Sequence, residues 1–438
     1  MKRVMKRGIV LLCVLTAFSS FAADATLEER LTALEEKFAK EASAREEILL
    51  NRISELEKQV QTLSEQVATV KPAEASGADS ESLSTRVSAV EQEVAEMKDT
   101  NEKEFKLLEP LKGITIGGYG ELHYNELEGS GGAKDKSEVD LHRFVVTVGK
   151  EFNEQTRFFS EMEIEHATTE DNKDGDDGYV VVEQAYVDFD LNEEHTARGG
   201  VFLVPVGLLN ENHEPGRFYG VERNGVENQI IPTTWGEAGA GLHGLLSDTW
   251  RYDAYLHTGF DLTSTNYTIR NARQKGGYAD SSDPAATAAL NWSIPGVTIG
   301  GSSQYQQDMS SGDNKDNISA ILGELHTDLA WRKWGFRALY AQWELDGNGP
   351  EQQGSDRQLG WYLEPSYKFT DKVGVFARYS EWNNLAGDRS KDAGKEQVSA
   401  GVNYYPHPQM VLKADYQWQF NEDNKDQDGV NLGMGYEF

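Results

Sequence analysis

The chain has 438 residues, 38% of them hydrophobic and 26% charged, with a formal charge of −31. That excess of acid excludes a nucleic-acid partner, because a phosphate-binding surface needs clustered lysine and arginine. Beyond the N-terminus no run approaches about 18 consecutive apolar residues, which excludes a membrane-crossing helix there.

Residues 1–22 are predicted to be a removable signal peptide. Lys2, Arg3, Lys6 and Arg7 form its basic end, "GIVLLCVLTAF" its apolar centre, and Ser20-Phe21-Ala22 a small-residue cleavage site. Cys13, the sole cysteine, lies inside it, so the mature chain is expected to hold no disulfide and no thiolate metal site. Residues 23–109 then show apolar spacings of four and three. Leu49, Ile53, Leu56, Val60, Leu63, Val67 and Val70 form one run, and Leu83, Val87, Val90, Val94 and Met97 another. These are heptads of an α-helical coiled coil, broken near 71–82 by "KPAEASGADSES"; so narrow an apolar stripe implies self-association. After a signal peptide, the expected place for this segment is the periplasm.

After Pro110 the period changes to two. "ITIGGYGELHY" sends Ile114, Ile116, Leu122 and Tyr124 to one face and Thr115, Tyr119, Glu121 and His123 to the other, as in a strand with one apolar side. About sixteen such strands are predicted, starting near 114, 139, 156, 180, 197, 237, 250, 285, 297, 318, 335, 358, 373, 396, 410 and 429. Short turns such as "NEQ", "SDT" and "HPQ" alternate with long polar loops. The fold class expected for 110–438 is therefore an all-β transmembrane barrel of about sixteen antiparallel strands. The final row, Val430, Leu432, Met434, Tyr436 and Phe438, reads as a lipid-facing strand, with Tyr436 and Phe438 as the signal taken by the barrel assembly machinery.

Alternation places Glu121, His123, Arg157, Glu161, Glu163, Glu165, Asp188, Arg251, Asp253, Glu324 and Arg378 on the lumen wall. Inward acids outnumber inward bases, so a weak preference for cations is expected. Glu183 is a misfit: alternation sends it outward, which a position above the bilayer or a bulge would resolve. The connection at 207–237 is longer than a ring needs and carries apolar stretches such as "YGV", "QII" and "TTW". It is expected to enter the lumen as a constriction built from Glu211, His213, Glu214, Arg217, Tyr219, Glu222, Arg223, Glu227 and Trp235.

"VEQAYVDF" and "HEPGRFYGVERNGVENQIIPTTWGE", behind a signal peptide and a coiled coil, resemble porins related to the phosphate-selective porin O and P family, closest to its coiled-coil-bearing siderophore-porin branch. A phosphate-selective member would line its channel with arginine and lysine; here one strand carries Glu161, Glu163 and Glu165 instead. The function expected is passive diffusion of small hydrophilic solutes across the outer membrane of a Gram-negative bacterium. The alternatives are facilitated uptake of ferric siderophores, as the resemblance implies, and an envelope tether. The partners expected are outer-membrane lipid and lipopolysaccharide, the assembly machinery, a small-molecule permeant and two further copies of the chain in a homotrimer. No catalytic motif, cofactor or metal site is expected.

Overall fold

The computed structural model describes residues 112–167, 178–262, 265–310 and 317–438, with Lys58 and Gln92, both helical. The expected signal peptide lies outside the described residues, and so does the expected coiled coil apart from those two positions. No described helix is long and apolar enough to cross a membrane.

From Ile114 onward the chain is a succession of strands. β1 (Ile114–Gly129), β2 (Lys136–Glu151), β3 (Thr156–Glu165), β4 (Val180–Asp190) and β5 (His195–Leu203) precede the longest connection. Then come β6 (Gly236–Ser247), β7 (Trp250–His257), β8 (Ala285–Ile294), β9 (Val297–Gln306) and β10 (Ser319–Trp331). β11 (Trp334–Asp346), β12 (Arg357–Thr370), β13 (Val373–Asn383), β14 (Lys395–His407), β15 (Met410–Gln419) and β16 (Gln427–Glu437) complete the set. Each strand pairs antiparallel with its sequence neighbours, and β1 pairs with β16, so the sheet is a closed barrel of sixteen strands. Each expected start falls within three residues of the observed one; the largest offset is β2, which begins at Lys136 rather than 139.

Period two sorts the side chains. On β1, Tyr119, Glu121, His123 and Asn125 are buried inside the ring, whereas Ile116 is 74% exposed on its outside. At the end that carries the short turns, Phe152, Phe189, Trp250, Trp331, Trp334 and Phe369 stand exposed on the outer face, an aromatic belt of the kind found at a bilayer interface. Phe438 joins that rim: its carbonyl accepts from the Gly118 amide at 2.9 Å and its amide donates to the Gly118 carbonyl at 2.8 Å.

Of the five register shifts among the described residues of the sheet, two matter for the lumen. Between β1 and β2 the register steps from Glu121–Arg143 to Leu122–Leu141, leaving His142 without an opposite residue. Between β3 and β4 it steps from Glu161–Gln184 to Met162–Val182, which leaves out Glu183. The extra residue turns the Glu183 side chain into the ring, where it is 7% exposed, so the outward assignment from strict alternation is corrected by the bulge.

The ring encloses an apolar core of its own. Val226, Ile230, Ile231 and Trp235 of the long connection pack with Phe260, Leu262 and Ile269 of the connection between β7 and β8 and with Leu322, Leu339, Trp343 and Tyr362 of the wall. Deleting Phe438 removes both closing hydrogen bonds, and Phe438→Asp puts a charge on the apolar rim, which costs up to about 1 kcal/mol near an interface. Both variants are expected to yield less heat-modifiable barrel on unboiled gels, the deletion more so; an undiminished folded band would refute the role given to this residue.

Candidate functional site

Residues 204–235, here L3, leave β5 and run along the inside of the ring. Glycines on the inner face of β16 make room for this: a Cβ at Gly435 would overlap Pro215, and one at Gly433 would lie 3.1 Å from Val221. Irregular backbone in a confined space must have its polar groups satisfied, and the wall supplies partners. Arg337 donates to the Arg217 carbonyl at 2.9 Å, Asn403 to that of Phe218 at 3.3 Å, and Arg378 to that of Tyr219 at 3.0 Å. The Asp415 carboxylate accepts the Val221 amide at 2.7 Å. Arg143 donates to the His213 carbonyl at 2.9 Å, and the Trp343 indole to that of Ile230 at 3.0 Å.

Glu227 pins the loop to itself. Its carboxylate accepts the Leu208 and Leu209 amides, both at 2.7 Å, and the Tyr362 hydroxyl at 2.8 Å. Asn210 does the same at the loop's root, bonding the Val204 carbonyl at 2.7 Å and the Trp235 amide at 2.7 Å.

Beside β1–β4 a cavity of about 190 Å³ remains, bounded by L3 and by the connection at 258–284, here L4. Its wall carries Glu121, His123, Arg143, Glu165 and Glu183; Glu222 and Arg223 enter from L3, and Arg270, Arg273 and Lys275 from L4. Two of the acids are tightly paired. Arg143 Nε donates to Glu121 at 2.6 Å, and His123 lies 3.2 Å from Glu121 and 3.1 Å from Glu222. Burial raises the Glu222 pKa, but the His123 contact outweighs it and holds the carboxyl down at about 2.

The loop cations differ. Among the described residues Arg223 makes only a long hydrogen bond, 3.4 Å, to the Thr234 hydroxyl. Arg270 and Arg273 donate to backbone carbonyls of L3 at Asn228 and Thr233, and Lys275 lies 4.7 Å over the Tyr179 ring. Burial, with repulsion from Arg143 added, brings Arg223 down to about 10. Burial lowers Arg270, Arg273 and Lys275 as well, and the charge of Arg273 lowers the other two further. Among the described residues the cavity thus holds a row of cations without carboxylate partners beside Glu121 and Glu222, which have basic ones.

The other residues of the expected constriction lie elsewhere. Arg217 lines a second cavity of about 330 Å³ near the turn at 332–333 and meets Glu214 at 3.8 Å. Tyr219 stacks on Phe376 with ring centroids 5.4 Å apart. Glu211 faces Arg251 at 3.8 Å, and Arg251 also meets Asp253 at 3.1 Å. Trp235 is wholly enclosed in the apolar core, and Glu227 is buried in the loop's own hydrogen bonds. His213 is buried under the loop root. Burial alone would lower its pKa, but Glu161 and Glu183 outweigh this and push it up to about 9. On the wall, Arg157 bridges Asp190 at 2.6 Å and Asp188 at 3.6 Å, Glu324 accepts from Ser302 at 2.7 Å, Arg378 meets Glu364 at 3.3 Å, and Glu163 lies 4.0 Å from Arg143.

No protein-family model matches the sequence. A protein of Aquifex aeolicus, described as an uncharacterized protein, is 32% identical over 372 residues, spanning 76% of this chain and 82% of its own length. The chain belongs to that protein's family. Among solved structures, the anion-selective porin from Comamonas acidovorans aligns over 74% of this chain and 99% of its own, at 12% identity and a TM-score of 0.53. OmpF of Salmonella typhi, in complex with daunomycin, aligns over 74% and 97%, at 12% and 0.53. The outer membrane channel DcaP of Acinetobacter baumannii aligns over 74% and 97%, at 14% and 0.51. The family therefore has the fold of the outer-membrane porins.

Within this porin fold, reading the sequence by alternation missed Arg143, which stands opposite Glu121; His142 and Glu183, the extra residues of two bulges; and the cations of L4. The L4 cations did leave a signal: "TIRNARQK", 268–275, packs three bases into a strongly acidic chain. Glu227→Ala would strand the Leu208 and Leu209 amides and the Tyr362 hydroxyl at about 1–3 kcal/mol for each buried group. Amide exchange over 204–235 is expected to quicken several-fold while the folded barrel persists on unboiled gels; unchanged exchange in that segment would refute the anchor.

Proposed function

We propose that this protein is an outer-membrane porin through which small hydrophilic solutes diffuse passively, with L3 and L4 forming the selector. The observation that carries the reading is the cavity beside β1–β4, where cations of both loops, without carboxylate partners among the described residues, face carboxylates of the wall. In a narrow aqueous gap with low-dielectric sides such rows set a transverse field, and a permeant must cross it within contact distance. The acid-rich wall supports weak cation preference, whereas Arg223, Arg270, Arg273 and Lys275 favour anionic groups at the narrow point. The two opposed terms make the pore weakly selective overall, with its discrimination concentrated at L3 and L4.

The apolar outer face and its aromatic rim support a place in lipid. The homotrimer, lipopolysaccharide contacts and delivery by the assembly machinery go with that reading as proposals. Siderophore passage and tethering rest on the resemblance and on residues 23–109, and nothing in the lumen favours either.

Shortening L3 between Leu209 and Pro232 is expected to raise single-channel conductance in planar bilayers and to weaken discrimination between solutes, since the ring's ladder does not depend on the loop. Arg223→Glu with Arg273→Glu is expected to move the reversal potential toward cations without a comparable change in conductance. Parent values for both quantities in a folded deletion variant would place the selector elsewhere.

A further inference from the structure

Under the root of L3, set back from the cation row, two carboxylates and an imidazole converge. Glu161, Glu183 and His213 are 3%, 7% and 2% exposed. His213 Nδ1 lies 2.9 Å from the Asn210 carbonyl, which can only accept, so Nδ1 carries a proton and Nε2 points at the acids. Nε2 is 3.5 Å from Glu161 Oε1 and 3.7 Å from Glu183 Oε2. Neither His213 Nε2 nor Glu183 Oε2 has a hydrogen-bond partner among the described residues, although both are fully buried. Two unsatisfied polar atoms facing each other in a protein interior call for a specific reason.

The geometry fits one ion. Ligands bound at about 2.0–2.2 Å around a tetrahedral centre stand roughly 3.3–3.6 Å from one another; the imidazole stands 3.5 and 3.7 Å from the two carboxylates, longer than a good hydrogen bond, and all three ligand atoms lie within 4.8 Å of one another. The surroundings also orient each ligand, as partners of metal ligands do. The Tyr119 hydroxyl donates to Glu161 Oε1 at 2.9 Å and the Gln184 amide to Oε2. Asn210, which holds the imidazole, is itself held at both ends of L3. Within these three side chains a dication with a neutral imidazole balances two buried carboxylates, whereas an imidazolium leaves one in surplus; the neighbouring Glu163 and Arg143 lie 4.0 Å apart and face each other. Glu183 reaches this place only because of the bulge in β4.

We propose that Glu161, Glu183 and His213 bind a divalent first-row transition-metal ion of zinc's class through Oε1, Oε2 and Nε2, clamping the root of L3 to β3 and β4. Mixed nitrogen and carboxylate ligands suit that class. A second cluster, Asp140, His142 and His166, is a weaker candidate because its contacts, 2.9 and 3.4 Å from Asp140 to the two rings, are already hydrogen bonds. The proposal does not depend on transport, since it is read as binding.

The test titrates chelator-stripped, folded full-length protein in detergent with Zn²⁺ by calorimetry, and with Co²⁺ by visible absorption. One ion per chain is expected for the parent and for His142→Ala/His166→Ala, with the intense visible bands of four-coordinate cobalt. Glu183→Gln and His213→Gln, each checked for the heat-modifiable barrel, are expected to weaken binding by at least about 100-fold, beyond the usual effect of a residue that only orients a ligand. Failure of the parent to bind a stoichiometric ion, whatever the variants do, would overturn the proposal and leave an imidazolium between two carboxylates. So would equal affinity in the folded His213→Gln variant.

Discussion

A sheet whose outer face is apolar has no water to satisfy an open edge, and the rest of this molecule depends on the pairing of β1 with β16 that removes the edge. Closing at sixteen strands leaves a lumen too wide for wall side chains to fill. The chain fills it with its own connections. Val226, Ile230, Ile231 and Trp235 of L3 and Phe260, Leu262 and Ile269 of L4 build an apolar core inside the ring, on the opposite side of the wall from the apolar outer face. One sheet thus separates two apolar regions, and the polar residues between them gather where the loops leave a gap.

Holding irregular backbone in that space demands partners, and the wall provides them at the expense of its own freedom. Arg378 and Asp415 look like solvated lining residues by alternation, yet one donates to the Tyr219 carbonyl and the other accepts the Val221 amide. Such side chains hold L3 in place before they can influence anything passing through. Glu227 is the extreme case, a carboxylate in the expected selector that is wholly occupied by the loop's own amides and by Tyr362.

The strands were legible because two solvents impose the same period: apolar residues face outward and polar ones inward at every second position, so β1, β7 and β15 can be read almost residue by residue. A bulge leaves no such trace. One extra residue in β2 or β4 changes neither composition nor turn chemistry, and strict alternation then misplaces Glu183. Gly433 and Gly435 read as gaps in a polar row; their meaning, close approach of Val221 and Pro215, exists only once L3 is in place. The stretch 207–237 could be singled out by its length and apolar content, but which of its charges share one cavity depends on the three-dimensional path. That path separates Arg217 and Glu227 from Glu222 and Arg223.

Counting charges also misleads about the field inside. The chain is acidic overall and its wall is rich in glutamate, yet around the cavity Arg143 engages Glu121 and His123 engages both Glu121 and Glu222, while among the described residues the loop cations bond carbonyls and hydroxyls and lie over a ring. A paired charge contributes little potential beyond its partner; an unpaired one in a low-dielectric gap contributes far more. The cations around the cavity stand on L3 and L4, and their positions follow from the core beneath them: Ile230 and Ile231 fix the turn that follows Arg223, and Ile269 and Ala272 flank Arg270 and precede Arg273. Packing inside the ring, rather than the composition of its wall, decides which charges meet at this cavity.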